Sequence, residues 1–294
     1  MSNAVAITKS QEREGEKTKS FLARNKYLIL RRITQIGILG LYIGGNYLGW
    51  KILQGNLSTS KFLEVIPLSD PYAVLQMFFS GAIVGVDVII GALLILAFYG
   101  LIAGRAFCSW VCPVNMFTDA ANWIRVKTGL HKEEKRINIP RSTRYWFLVL
   151  GLILSPILGV PAFEFISPIS VTHRGIIFGI GLGWTLILAI FLFDLFVVKN
   201  GWCGHLCPLG AFYSLISKPA SLLRVGYDLN KCTECMECKR VCPEVQVLWM
   251  IGKENKPVLS GECTNCGRCI DVCPENALFY TLRFKKSGGD KNET

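Results

Sequence analysis

Residues 232–243 read CTECMECKRVCP, and residues 263–274 read CTNCGRCIDVCP. Both segments have the spacing Cys-x2-Cys-x2-Cys-x3-Cys-Pro, which is typical of chains that hold two cubane iron–sulfur clusters. In such a pair the first three cysteines of one motif bind one cluster from a tight loop, and the fourth reaches across to the other cluster. The repeated motif therefore predicts an α+β bacterial-type ferredoxin domain with two [4Fe-4S] clusters.

The crossed arrangement predicts which cysteines share a cluster. The expected ligands are Cys232, Cys235, Cys238 and Cys273 for the first cluster, and Cys263, Cys266, Cys269 and Cys242 for the second. A structural zinc site takes four tetrahedral ligands and would leave the evenly spaced third cysteine unused. A disulfide framework is typical of small secreted chains, and the basic flanks and paired Cys-Pro ends do not suggest one. The spacing thus favours iron–sulfur ligation over both alternatives.

The rest of the chain is apolar enough to indicate membrane segments. Hydrophobic residues make up 51% of the 294 residues, and the mean hydropathy is +0.38, which is high for a soluble protein. A helix needs about 20 mainly apolar residues to cross the hydrocarbon core. Four runs meet this requirement: Ile33–Trp50, Ile83–Ala103, Tyr145–Ile166 and Ile176–Val198. They predict an α-helical polytopic membrane domain with four transmembrane helices, arranged as two repeated hairpins.

The basic residues indicate the orientation of these predicted spans. Of the 32 Lys and Arg residues, 29 lie in residues 1–32, 104–144 and 199–294. They do not form one continuous stripe, so the net charge of +11 predicts membrane topology rather than nucleic-acid binding. We therefore predict a multi-pass protein of the bacterial cytoplasmic (inner) membrane with both termini in the cytoplasm. The predicted regions are a tail (1–32), the membrane domain (33–225), the ferredoxin domain (226–285) and a second tail (286–294).

The other four cysteines form a second repeated motif. Residues 105–117 read RAFCSWVCPVNMF, and residues 200–212 read NGWCGHLCPLGAF. Each contains Cys-x3-Cys-Pro directly after an apolar run, with Cys108 and Cys112 in the first copy and Cys203 and Cys207 in the second. Internal repeats of membrane helices often place a shared site at their interface. Because proline fits the first turn of a helix, the motif also predicts helices at Val114–Lys127 and Leu209–Val225.

Three interpretations of these four cysteines stay open. A third iron–sulfur centre held by Cys108, Cys112, Cys203 and Cys207 is preferred, since clustered cysteines in a reducing compartment are usually metal-binding or catalytic. A redox-active dithiol pair is the second interpretation, and simple packing of small buried side chains is the third. His205 lies inside the second copy and is expected to be a solvated residue at the membrane surface.

Other residues give weaker signals for quinol or proton chemistry. Asp87 lies inside a predicted span, where an ionisable side chain is a candidate for a proton path. His173 lies near the outer end of another span and is a candidate quinol contact. The three histidines do not lie on facing apolar runs, and no Cys-x2-Cys-His segment or strand-linked Gly-x-Gly-x2-Gly occurs. The sequence therefore predicts neither haem nor flavin.

The two Cys-x3-Cys-Pro copies, followed by the eight-cysteine ferredoxin motifs, resemble the NapH family over roughly residues 26–285. All twelve cysteines of this chain match the family pattern. The resemblance implies a membrane subunit of a quinol dehydrogenase, with membrane quinol as substrate. It further implies that electrons leave through an iron–sulfur partner of the NapG type towards periplasmic nitrate reductase. The MauN type, which belongs to amine metabolism, shares this pattern.

A second class of function is also compatible with these motifs. A membrane polyferredoxin could act as a redox sensor or as an assembly factor for a metalloenzyme, with clusters that report iron or oxygen. Quinol-dependent reduction of the clusters separates the two functions, because a sensor does not need to sustain turnover.

The predicted orientation can be tested with reporter fusions. Reporters placed after residues 20, 130 and 290 should behave as cytoplasmic, and those placed after residues 60 and 172 as periplasmic, because loops rich in Lys and Arg stay inside. A periplasmic signal after residue 290 would contradict the orientation and move the predicted clusters to the other side.

Overall fold

The computed structural model describes residues 20–129, 139–179, 181 and 183–283, which are mostly helical. The helices are α1 (Phe21–Arg24), α2 (Lys26–Tyr47), α3 (Pro71–Phe79), α4 (Val86–Ala97), α5 (Phe107–Trp110), α6 (Val114–Lys127), α7 (Thr143–Leu158), α8 (Ala162–Ile166), α9 (Pro168–Phe178), α10 (Gly183–Phe196), α11 (Pro208–Ala220), α12 (Glu237–Val241) and α13 (Arg268–Val272). The strands are β1 (Leu53–Gly55), β2 (Thr59–Phe62), β3 (Ile66–Ser69), β4 (Leu223–Tyr227) and β5 (Leu278–Leu282). Wide π-helical turns occupy Phe98–Ala103 and Trp202–Leu206, and short 3-10 turns occupy Gly104–Ala106, Leu229–Lys231 and Val245–Leu248.

In the part of the chain that the structure describes, two helices are long and apolar enough to cross a membrane. One is α2, with 22 residues, and the other is the 25-residue helical run Val86–Trp110, which continues α4 through the first π-helical turn into α5. At about 1.5 Å per residue, both reach the roughly 30 Å of a hydrocarbon core. Large apolar side chains such as Ile33 and Leu93 are exposed on these helices, as expected of a surface that faces lipid.

The other two predicted spans are not single continuous helices, so the structure does not confirm four transmembrane helices. The run Tyr145–Ile166 is broken at Gly159, which has a left-handed φ of +66° and ends α7 after 16 residues. The run Ile176–Val198 is broken near Gly179, which has a φ of +98° and separates α9 from the 14-residue α10. Hydropathy alone does not register such breaks, because these glycines lie within apolar sequence.

The internal repeat is present, but its unit differs from the predicted pair of spanning helices. Each copy starts with a short helix whose first residue is proline, Pro71 in α3 and Pro168 in α9. Asp70 caps α3, since its carboxylate accepts a hydrogen bond of 3.1 Å from the backbone N–H of Tyr72. A longer apolar helix follows in each copy and leads to a Cys-x3-Cys-Pro motif; a π-helical turn precedes the motif in the first copy and includes Cys203 in the second. The repeated unit is therefore a short helix and a long helix that lead to a cysteine motif.

A small antiparallel sheet lies between α2 and α3 in the sequence. Its order is β1-β2-β3, with Leu53 opposite Phe62 and Phe62 opposite Ile66. Strand β3 packs closely against α4, because Gly91 leaves room for the backbone of Pro67. Asp70 directly follows β3 in the sequence, so this contact also fixes the position at which α3 begins.

The ferredoxin unit begins slightly earlier than the sequence predicted. The predicted helix Leu209–Val225 ends at Ala220, because Ser221 is extended and the chain continues into β4 from Leu223. Strands β4 and β5 pair antiparallel, with Leu223 opposite Leu282 and Tyr227 opposite Leu278. The predicted helix Val114–Lys127 has the expected bounds. The ferredoxin unit thus joins the end of α11 without a long linker.

The first long helix extends into the segment that was predicted to be a tail. Helix α2 begins at Lys26 and docks on the ferredoxin unit, where the carboxylate of Asp271 accepts hydrogen bonds from the backbone N–H groups of Tyr27 and Leu28. The ring of Tyr27 also makes an edge contact with Tyr280 at 5.3 Å. The carboxylate thus caps the helix from another part of the chain. The predicted second tail, residues 286–294, lies outside the described residues.

Gly91 provides a test of the contact between α4 and β3. A Cβ atom at this position would lie 2.9 Å from the carbonyl carbon and oxygen of Pro67, and these backbone atoms have little freedom to move. We expect Gly91→Ala to lower stability by about 1–3 kcal/mol through overpacking, seen as a lower Tm when tryptophan fluorescence is followed on heating.

Gly37→Ala is the matched control, because a Cβ atom there would meet no atom within 4 Å. Alanine favours a helix over glycine by about 1 kcal/mol, so this control should keep or raise the Tm. Equal effects of the two substitutions would contradict the proposed packing.

Candidate iron–sulfur sites

Four cysteines of the ferredoxin unit surround one small cavity. Three come from the first motif and one from the second: Cys232, Cys235, Cys238 and Cys273. The loop turns sharply because Glu234 and Met236 adopt left-handed backbone conformations, with φ of 54° and 60°. The backbone N–H of Glu234 points to the sulfur of Cys232 at 3.4 Å, and that of Ala277 points to Cys273 at 3.2 Å. Such N–H groups stabilise the negative charge of cluster ligands.

A second cavity is lined by the complementary set of cysteines. These are Cys242 from the first motif together with Cys263, Cys266 and Cys269 from the second. Asn265 and Gly267 take left-handed conformations here, with φ of 46° and 74°, in positions that match Glu234 and Met236 of the first loop. The structure therefore brings together both crossed sets that the spacing predicts.

The donor sets of these two cavities fit an iron–sulfur cluster. Within the described residues, no three Cys, His, Asp or Glu side chains converge as the ligands of a single metal ion do; four thiols instead enclose each cavity. Burial raises the pKa of Cys238 and of Cys263 to about 11. Because iron binds the thiolate, loading a cluster must release these protons.

The four cysteines of the Cys-x3-Cys-Pro repeat also come together. Cys112 and Cys207 are buried in the same apolar core, while Cys108 and Cys203 are partly exposed. Their thiols are close enough for each to influence the charge of the others. Thr118, in the helix that follows the first motif, lies 3.8 Å from the sulfur of Cys203 in the second. The two copies of the repeat thus form one group of four thiols.

Arg105 is a functional candidate for which the sequence gives no signal beyond its basic charge. Its side chain is 1% exposed and lies against the thiols of Cys108, Cys203 and Cys207. The guanidinium donates a 2.9 Å hydrogen bond to the carbonyl oxygen of Cys203. Gly210 leaves room for it, since a Cβ atom there would lie 2.7 Å from the guanidinium. A buried cation here favours negative charge on the surrounding sulfur atoms.

Two glutamates of the ferredoxin unit complete the charge balance around Arg105. Glu244 is buried and accepts hydrogen bonds from Arg105 at 2.6 Å and from Arg144 at 2.9 Å, and it also pairs with Arg141. Glu262 pairs with Arg144. Burial alone would raise the pKa of Glu262, but the hydrogen bond from Gln246 and the charge of Arg144 lower this pKa below its usual value. Both glutamates adjoin predicted cluster ligands, but sequence spacing gives no sign of their long-range partners.

Direct hydrogen bonds connect the first Cys-x3-Cys loop to the loop of the second ferredoxin cavity. The hydroxyl of Ser109 donates to the carbonyl oxygen of Thr264 at 2.6 Å, and the indole N–H of Trp110 donates to that of Asn265 at 3.0 Å. The side chain of Asn265 donates back to the carbonyl oxygen of Ala103 at 3.0 Å. The group of four thiols therefore lies next to the cavity of Cys263, Cys266, Cys269 and Cys242.

The remaining candidates from the sequence lie in different surroundings. Asp87 is exposed in the first turn of α4, about 30 Å from Cys108 along one helical run at 1.5 Å per residue. His173 is fully buried, and its ring makes an edge contact with Tyr42 at 4.6 Å. His205 was expected to be solvated, but only 9% of it is exposed.

The fold and the cysteine groups define a ferredoxin-type iron–sulfur protein, and comparisons with known families agree. A family described as a "4Fe-4S binding domain" matches residues 84–131 and again 178–226, once for each copy of the repeat. A family described as a "4Fe-4S dicluster domain" matches residues 224–274. No solved structure matches this chain significantly.

Full-length relatives identify the family. The chain is 43% identical to the methylamine utilization ferredoxin-type protein MauN of Methylorubrum extorquens, over 95% of this chain and 97% of the relative. It is 42% identical to the ferredoxin-type protein NapH of Escherichia coli, over 80% and 81% of the two chains. For NapH of Haemophilus influenzae the identity is 41%, over 90% and 92%. The chain belongs to the NapH and MauN family of ferredoxin-type proteins, and it has an iron–sulfur electron-transfer role.

The crossed ligand sets can be tested by comparing double variants. Cys242 and Cys266 line the same cavity. The double variant Cys242→Ala with Cys266→Ala should therefore lose one cluster, as each single variant does, because the effects of ligands of one cluster are not additive. Cys242→Ala combined with Cys235→Ala should lose both clusters, since Cys235 lines the other cavity. Iron content and low-temperature EPR of anaerobically purified full-length protein measure the outcome. If the Cys242→Ala and Cys235→Ala pair loses only one cluster, the ligand sets are not crossed.

Proposed function

We propose that this protein is a membrane-bound electron-transfer subunit of a quinol dehydrogenase, in which three iron–sulfur centres form one path. Electrons from a membrane quinol enter at the group of Cys108, Cys112, Cys203 and Cys207. A cluster held by Cys242, Cys263, Cys266 and Cys269 would accept them next, and a cluster held by Cys232, Cys235, Cys238 and Cys273 would follow. A bound iron–sulfur cluster would supply one-electron chemistry at each point, so the two electrons of a quinol would leave one at a time.

One observation carries this proposal: the four repeat cysteines form a single group whose loop is hydrogen-bonded to the loop of the second ferredoxin cavity. Packing alone would not require thiols from both repeat copies to meet beside a cluster-binding loop. The match of a 4Fe-4S binding family to each copy of the repeat supports the same interpretation. A third cluster held by these four cysteines is therefore preferred over a dithiol pair.

The chain contributes electrostatics and rigidity to this path. Arg105 offsets the negative charge of the thiolates, which makes reduction of a centre held there easier. The hydrogen bonds of Ser109 and Trp110 hold the two loops at a fixed separation. Packing of Phe107 and Leu209 in the same core excludes water from the buried thiols of Cys112 and Cys207.

The partners follow from the class of reaction. A quinol dehydrogenase subunit needs an acceptor, and we propose an iron–sulfur protein of the NapG type that leads to a periplasmic reductase. Nitrate reductase is our proposed final acceptor, as the resemblance to NapH implies. MauN relatives of this chain, which are named for methylamine utilization, are equally similar. Loss of nitrate-dependent quinol oxidation in a deletion strain would support nitrate as the final acceptor, whereas unchanged nitrate reduction would exclude it.

Substitutions of the repeat cysteines test the path itself. We expect Cys112→Ser or Cys207→Ser to abolish reduction of the ferredoxin clusters by quinol, while dithionite still reduces them, because loss of one ligand disables the first centre only. The double variant should be no worse than either single one.

Cys235→Ser is the contrasting variant, because Cys235 lines the cavity that comes last in the proposed path. Quinol should still reduce the cluster at Cys263 in this variant. Full quinol-linked reduction in both Cys112→Ser and Cys207→Ser would show that these thiols only pack.

A further inference from the structure

A cavity of about 290 Å³ lies between α2, the small sheet, and the starts of the two short helices α3 and α9. Its walls are mainly apolar and include Ile38, Leu41, Phe62 and Leu68. Ligand cavities in proteins are typically about 300–1,000 Å³, mostly apolar, with a few polar groups that orient the ligand. This cavity is at the small end of that range, which suits a single ring with a short apolar tail.

Polar groups from both copies of the repeat line the cavity. Asp70 comes from the start of α3, and Glu164 and Ser170 come from the segment around α9. The hydroxyl of Ser170 donates to Glu164 at 2.6 Å, Ser58 also donates to this carboxylate, and Arg174 lies 3.9 Å from it. The negative charges of Asp70 and Glu164 are close enough to influence each other. The cavity thus contains two carboxylates that can accept protons.

Ser69 gives an independent sign that a polar ligand fits here. Its side chain is 2% exposed and lines the cavity, and its hydroxyl has no hydrogen-bond partner among the described residues. A buried hydroxyl without a partner costs about 1–3 kcal/mol. A lipid tail could fill the apolar volume, but it would leave this hydroxyl unpaired, whereas a ligand with oxygen atoms on its ring would pair with it.

Residues next to the thiols of the repeat also line the cavity. Phe107 and Val111 each precede a cysteine of the first motif, and Leu209 follows Cys207-Pro208. Tyr99 and Tyr213 also line the cavity, and each hydroxyl is close enough to Cys108 to be influenced by its charge. Tyr213 is similarly close to Asp70. The proton-accepting groups and the residues next to the thiols therefore line one ligand-sized space.

We propose that this cavity binds the ring of the quinol, with Asp70 and Glu164 as acceptors of its protons. This inference rests on the proposed quinol dehydrogenase function and assigns its substrate site. The quinol would lose two electrons and two protons and leave as quinone. The electrons would pass singly to an oxidised iron–sulfur centre held by Cys108, Cys112, Cys203 and Cys207, and the protons would pass to the two carboxylates.

The first test measures reduction of the clusters by a short-chain quinol in anaerobically purified full-length protein. Asp70→Asn and Glu164→Gln keep the shape of each side chain but remove the proton acceptor. Since general-base catalysis contributes roughly 100-fold or more, each variant should be reduced by quinol about 100-fold more slowly. Dithionite should reduce its clusters at the wild-type rate. Glu64→Gln is the control, because Glu64 is an exposed carboxylate on the turn between β2 and β3 that does not line the cavity.

The second test locates the ligand without turnover. A photoactivatable short-chain quinone should label peptides that contain cavity residues such as Tyr42, Leu68 or Tyr213, and excess unlabelled quinone should prevent this labelling. Labelling elsewhere, or wild-type reduction rates in both Asp70→Asn and Glu164→Gln, would overturn the site and leave the quinol dehydrogenase function intact. Failure of quinol to reduce the wild-type clusters, with normal reduction by dithionite, would instead overturn the proposed function and the proton transfers together.

Discussion

The buried carboxylate of Glu244 is the interaction on which the arrangement of this protein depends. It follows Cys242-Pro243 in the ferredoxin unit and pairs with Arg105, Arg141 and Arg144 from the helical part of the chain that precedes this unit. Burying several charges together is costly, and removing one partner from such a group typically costs about 3–5 kcal/mol. The ferredoxin unit is therefore held in one position against the cysteine loops, which electron transfer between fixed centres requires.

This ionic contact also explains how so many potential anions can be buried together. Arg105 is shared between Glu244 and the thiols of the repeat, so one guanidinium serves both the domain contact and the cysteine group. The hydrogen bonds of Ser109 and Trp110 to the cluster-binding loop add direction to the contact. In this way the structural and the redox roles of the interface depend on the same residues.

The internal repeat forms two different regions in the helical part of the chain. In one region, the two Cys-x3-Cys-Pro motifs meet beside the ferredoxin unit. In the other, the starts of the two short helices enclose a cavity with Asp70 and Glu164. In the proposed function, a quinol bound in this cavity would give its protons to the carboxylates and its electrons to the neighbouring cysteine group. We therefore interpret the duplication as a device that builds both sites at once.

The sequence by itself determined the cysteine groups, the repeat and the family, because the Cys-x2-Cys-x2-Cys-x3-Cys-Pro and Cys-x3-Cys-Pro spacings are local patterns with a direct chemical meaning. It overestimated the number of continuous spans, since Gly159 and Gly179 end helices inside apolar sequence. Only the tertiary structure brought Glu244 to Arg105 and joined Asp70 to Glu164 in one cavity. These contacts join residues about a hundred positions apart, and no local spacing encodes such a pairing.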